Sequence, residues 1–157
     1  MKTEGRYIDL LRIPAYLVFL GGRVVSEFGD ILFTMVTMWY VLQTTDSALA
    51  ASIVPLVPTL TFLFLSMPLG TLTDRFSKKK VLIFTELFRG VIVFIIFLLM
   101  ITDNVFPFEI YLSNFLLTIG GIMFGIAEQS ALPSILPNKE KQLGLANGLM
   151  TAVKRTV

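Results

Sequence analysis

The 157-residue chain contains no cysteine and no histidine. Without thiols it can form no disulfide. Without either residue the usual zinc sites and every histidine-based catalytic relay are excluded. Charge is also scarce. Asp, Glu, Lys and Arg make up 15% of the residues, and 13 basic against 11 acidic side chains leave a net charge of only +2. That balance offers no basic surface for nucleic acid. No phosphate-cradling P-loop and no dinucleotide-type glycine loop occurs. What the chain has in quantity is apolar side chains: 55% of it is hydrophobic, and its mean hydropathy is +0.79. This is more apolar than a soluble domain of this length. The first apolar run is too long for a cleavable signal and lacks a small-residue cleavage site.

A helix that crosses a bilayer needs about 20 mostly apolar residues. Four runs meet that length, roughly Ala15–Leu42, Ala48–Leu72, Val81–Ile101 and Ile110–Ala127, the last within outer limits of 109–130. A fifth starts near Leu145 and is cut off at Val157. Residues 1–14 precede the first run. The predicted fold class is all-α: a polytopic helical membrane protein with four complete spans and the start of a fifth. Turn signals separate the runs, namely Thr44-Thr45-Asp46-Ser47, Asp74–Lys80, and Thr102-Asp103-Asn104 with Pro107. The loop after the fourth run, Leu132–Gly144, holds Pro133, Pro137 and Lys139-Glu140-Lys141.

Charge predicts the orientation. Lys2, Arg6 and Arg12 precede the first span, Arg75, Lys78, Lys79 and Lys80 join the second to the third, and Lys139 and Lys141 follow the fourth. The other two loops have only Asp46, Asp103 and Glu109 nearby. All loop Lys and Arg therefore fall on one side, which the positive-inside rule makes cytoplasmic, together with the N-terminus.

Polar residues inside the spans follow helical spacing. Arg23, Glu27, Asp30, Thr34 and Thr37 recur at steps of four, three, four and three, which places them on one face of the first span. A charge near the bilayer centre costs about 2.5–3.5 kcal/mol, so this face needs partners or a water-filled cavity. Arg23 and Glu27 are spaced to pair, whereas Asp30 has no local cation in the sequence and is the candidate proton-linked residue or partner of Arg89. Thr34 and Thr37 can also bond their own helix backbone. In the fourth span Asn114, Thr118, Gly121, Gly125 and Glu128 share a face, and Gly121 with Gly125 form a small-xxx-small pattern that admits a close helix neighbour. The third span places Glu86 and Arg89 one turn apart, near its cytoplasmic end. Both acid–arginine pairs read first as structural ion pairs, and the glycine pair as packing. Pro55 and Pro58 lie inside the second span, where each removes a backbone donor.

The stretch Gly70-Thr71-Leu72-Thr73-Asp74-Arg75-Phe76-Ser77-Lys78-Lys79-Lys80 combines a glycine, an acid four residues on that looks buried, an arginine and a basic cluster. It resembles the signature loop between the second and third spans of the major facilitator superfamily of secondary transporters. Other segments resemble the drug-efflux, macrolide-efflux and siderophore-export branch of that superfamily. They are Glu27-Phe28-Gly29-Asp30, Thr45-Asp46-Ser47-Ala48-Leu49-Ala50, Thr85-Glu86-Leu87-Phe88-Arg89, and Ala131-Leu132-Pro133-Ser134-Ile135-Leu136-Pro137 followed by Ala146-Asn147. Ser77 departs from the general pattern, which often has Gly there. Lys154 and Arg155 stand where that branch is usually polar or small.

The resemblance implies a secondary active transporter, a proton-coupled exporter or antiporter of a small drug-like compound in a bacterial plasma membrane. It implies a gating loop of Gly70, Asp74, Arg75, Lys78, Lys79 and Lys80, with Asp74 held by a helix N-terminus or cation of the opposite half. It also implies a cavity lined by the first and fourth spans, hence by Arg23, Glu27, Asp30, Thr34, Asn114 and Thr118. Transporters of this kind have about twelve spans in two halves with the site between them, so the chain is expected to be part of the N-terminal half. The expected partners are the lipid bilayer, a small-molecule substrate, protons and the missing C-terminal half. No cofactor, metal or nucleic acid is implied, and no enzyme arrangement appears. A membrane subunit that docks through Gly121 and Gly125 without transporting, or an inactive truncation, is the alternative.

Overall fold

The computed structural model describes residues 13–102 and 105–135, together with Gly144 and Gly148. All regular structure among the described residues is helical. Four helices follow one another: α1 Pro14–Thr45, α2 Ala48–Thr73, α3 Lys78–Ile101 and α4 Pro107–Ile135. The expected fifth span from Leu145, the basic residues of the N-terminal segment, and Lys139, Lys141, Ala146, Asn147, Lys154 and Arg155 lie outside the described residues.

The helix ends follow local chemistry. The α1–α2 turn is two residues long. Asp46 takes a left-handed φ of 49°, a region that Asp tolerates better than most side chains. Ser47 then caps α2, its hydroxyl oxygen accepting a hydrogen bond from the Ala50 N–H at 3.3 Å. Pro107 opens α4, where its missing donor costs nothing. Glu109, two residues on, accepts from the Phe106 N–H at 3.2 Å, one half of a capping box. In α3 the helix takes in Lys78, Lys79 and Lys80, which the hydropathy pattern assigns to a loop. In α4 it continues past Ala127 and through Pro133 to Ile135, so the expected loop at Leu132 begins later. Three prolines, Pro55, Pro58 and Pro68, lie inside α2. Nearby hydroxyls bond back to the helix, as Thr59 does to the Pro55 carbonyl at 3.1 Å and Thr71 to the Pro68 carbonyl at 2.9 Å.

Among the described residues, three helices are long and apolar enough to cross a membrane: α2, α3, and α4 as far as Ala131. α1, at 32 residues, has the length but is not among them. Arg23, Glu27 and Asp30 fall within about two turns of it, and each charge opposes insertion. The expected first span, Ala15–Leu42, is thus met in helix and length.

The described chain divides into two compact units, Met1–Leu32 with Ala131–Val157, and Phe33–Ser130. In the second unit one cluster gathers Val41 of α1, Val54 of α2, Val105 before α4, and Ile110 of α4. Tyr40, Ala50, Leu99, Met100 and Tyr111 pack against it. The Tyr111 hydroxyl donates to the Ala50 carbonyl at 2.9 Å, tying α4 to the start of α2. Toward the other end of α2, Thr73 is fully buried and donates to the Leu69 carbonyl at 2.6 Å. Large apolar side chains such as Phe62, Leu63, Phe64 and Met67 on α2, and Phe84, Leu87 and Phe94 on α3, are exposed, as suits helices whose solvent is lipid.

Candidate functional site

The residues singled out in sequence fall into three groups. The first is the α2–α3 loop. Its backbone closes tightly: the Asp74 N–H donates to the Gly70 carbonyl, and Arg75 and Phe76 donate to Leu72 and Thr73 at 3.1 and 3.2 Å. Ser77 occupies the cap position of α3 without a side-chain cap bond. The Asp74 side chain is 66% exposed and pairs with Lys78 Nζ at 2.7 Å. This corrects the expectation of a buried carboxylate: the short loop places Asp74 at the rim, one turn before Lys78. Arg75, Lys79 and Lys80 are exposed as well. The lysines stand in the first turn of α3, where the positive end of the helix dipole disfavours cations, and Asp74 offsets this for Lys78. Gly70 packs toward α4, since a Cβ there would stand 3.8 Å from Ile126 Cδ1, an ordinary contact.

The second group is the polar face of α1. Arg23 and Glu27 form the expected i,i+4 ion pair. Both are largely withdrawn from solvent, at 10% and 21% side-chain exposure. Asp30 is exposed and is not without a partner, which corrects the picture of an isolated carboxylate. In the second unit Thr34 is half-buried and Thr37 fully buried. The Thr37 hydroxyl donates to the Phe33 carbonyl at 2.7 Å, the backbone bond that satisfies a hydroxyl in an apolar setting.

The third group lies on α3 and α4. Asn114 is buried and donates to the Ile110 carbonyl at 2.9 Å, while Thr118 donates to the Asn114 carbonyl at 2.7 Å. These side chains spend donors on their own helix and keep acceptor oxygens for other use. Glu86 and Arg89 meet at 3.4 Å. Arg89 is buried and Glu86 half-exposed, with side-chain exposures of 9% and 49%. Arg89 stands at the middle of α3, because the helix starts earlier than the apolar run. Gly121 and Gly125 have no atom within 4 Å of an added Cβ. The close approach expected of that pair falls instead on Gly120, where a Cβ would stand 2.9 Å from Arg89 Cγ and 3.1 Å from its Cδ.

Sequence reasoning missed Gly120 and the Tyr111 bond. A signal for Gly120 exists: Ser113, Gly120 and Ala127 are small, seven residues apart, and all buried. A seven-residue repeat of small residues marks a helix–helix seam. No cluster of three or more metal-ligating side chains occurs among the described residues.

Residues 9–155 match the model of a family described as transmembrane secretion effector. No curated protein and no solved structure matches the chain.

Proposed function

Since the chain belongs to the transmembrane secretion effector family, of the major facilitator type, we propose that it takes part in proton-coupled export of a small drug-like compound. These helices form part of the N-terminal half of the transporter, in a plasma membrane, with the N-terminus and the α2–α3 loop cytoplasmic. The observation that carries this reading is the α2–α3 loop. An acid at the end of one membrane-crossing helix pairs with the first residue of the next, at 2.7 Å, and three exposed cations stand beside it.

The cycle is alternating access. Asp74 can exchange Lys78 for a cation or helix N-terminus of the other half, so that its contact is made in one state and broken in the other. Arg75, Lys79 and Lys80 hold the loop at the cytoplasmic surface. Glu27 and Asp30 are the proton-exchanging carboxylates. Of the two, Asp30 is exposed, as suits the group that exchanges protons with water. Asn114 and Thr118 offer the substrate polar contacts from α4.

The test is uptake of ethidium into everted vesicles that hold the full-length protein and are energised by a proton gradient. Wild-type uptake stops when an ionophore collapses the gradient. Uptake by Asp30→Asn no longer follows the gradient. If the variant keeps the wild-type pH dependence, Asp30 is structural. If wild-type uptake proceeds equally without a gradient, proton coupling is wrong.

A further inference from the structure

Gly120 and Arg89 are placed together by two features of the second unit. Arg89 is 7% exposed at the middle of α3, where a guanidinium is costly unless its geometry is fixed and its donors are directed. Gly120 is buried on the α4 seam that also holds Ser113 and Ala127. A methyl group at position 120 would lie 2.9 Å from Arg89 Cγ, 3.1 Å from Cδ and 3.7 Å from Phe88 Cδ1. The first two distances are shorter than carbon atoms in packed interiors adopt. The atoms in the way are mid-stem methylenes, not a flexible tip. They cannot yield without swinging the guanidinium that meets Glu86 at 3.4 Å. The neighbouring Gly121 and Gly125 have open space around them, so the crowding is particular to this position.

We propose that Gly120 is a positioning residue whose missing side chain is the seat of the Arg89 stem. It sets the guanidinium against Glu86 and so holds a fixed positive charge at the α3–α4 seam. The seat itself is a matter of packing. Its use in transport, as a charge that keeps its place while the cycle runs, rests on the proposed function.

The test reads the seat without transport. Membranes containing the protein are treated with phenylglyoxal, which modifies accessible guanidinium groups, and modification is read peptide by peptide by mass spectrometry. Arg89 in the wild type reacts slowly. In Gly120→Ala its modification rises about tenfold, as overpacking displaces the stem, while modification of Arg23, buried on α1, is unchanged. Unchanged modification at both arginines would overturn the proposal, since alanine would then be accommodated with Arg89 in place. If Gly120→Ala does not accumulate in the membrane, Arg89→Ala and Arg89→Ala/Gly120→Ala are compared. Equal accumulation supports the seat, because the clashing methylenes are gone. Lower accumulation of the double variant refutes it. Neither reading depends on transport, so failure of the exporter assignment leaves the result interpretable.

Discussion

The Asp74→Asn variant is expected to insert and fold as the wild type does, yet to transport about tenfold more slowly. The first half follows from exposure. Asp74 and Lys78 are paired at 2.7 Å, but their side chains are 66% and 31% exposed. Such pairs contribute about 0.2–1 kcal/mol in the presence of salt. Asparagine also preserves the backbone bonds that close the loop, from Asp74 to Gly70 and from Arg75 to Leu72. The second half follows from the proposed cycle. A carboxylate held by a helix N-terminus in one state and released in the other biases the two states by up to ~2 kcal/mol. Loss of ~1.4 kcal/mol changes their ratio tenfold. Thermal unfolding in detergent and initial transport rates in vesicles separate the two effects. Wild-type transport by a well-folded Asp74→Asn protein would remove this loop from the gating step.

The second large effect is on stability. Ile110→Ala is expected to destabilise the second unit by about 2–5 kcal/mol. Ile110 is fully buried, and Val41, Val54 and Val105 surround it from α1, α2 and the segment before α4. Its removal opens a cavity where three parts of the chain meet. Ile110→Val, one methylene smaller, costs about 0.5–1.5 kcal/mol. Met67→Ala on α2 supplies the contrast. Met67 is 85% exposed on a helix long and apolar enough to cross a membrane, where lipid is as apolar as the protein interior. Truncation there leaves stability near the wild-type value. Unfolding in mixed detergent micelles orders the three variants. A Met67→Ala loss equal to that of Ile110→Ala would mean that Met67 is covered by protein.

Much of the fold is legible from apolar run length alone. The run Ala48–Leu72 matches α2 to one residue, and Val81–Ile101 matches the end of α3. The misses share a cause: hydropathy locates the lipid-facing stretch, whereas helices end where their backbone groups find caps. Lys78, Lys79 and Lys80 are helical despite their charge, because the turn at Asp74–Ser77 already supplies the start. The apolar run Ile110–Ala127 stops short of Glu128, yet α4 continues past it, and Glu128 is buried there.

The candidate site was legible only in part, for a different reason. Helical spacing identifies which residues share a face, and it gave the Arg23–Glu27 and Glu86–Arg89 pairs correctly. It does not fix the rotation of a helix against its neighbour. Gly120 and Gly121 differ by about 100° around the axis, and only the packing of α4 on α3 decides that Gly120 receives Arg89. Spacing likewise cannot distinguish a hydroxyl that lines a cavity from one that only bonds its own backbone, as the buried Thr37 does.

Labelling of single thiols tests most directly whether the protein is a helical transporter whose basic α2–α3 loop faces the cytoplasm. The chain has no cysteine, so Thr3→Cys, Thr44→Cys and Ser77→Cys each introduce a single reactive group. In intact cells a membrane-impermeant maleimide is predicted to label position 44 alone, with positions 3 and 77 reacting only after permeabilisation. Labelling of position 77 from outside, or of positions 44 and 77 from the same side, would contradict the account, because α2 would then not cross the membrane in the required direction.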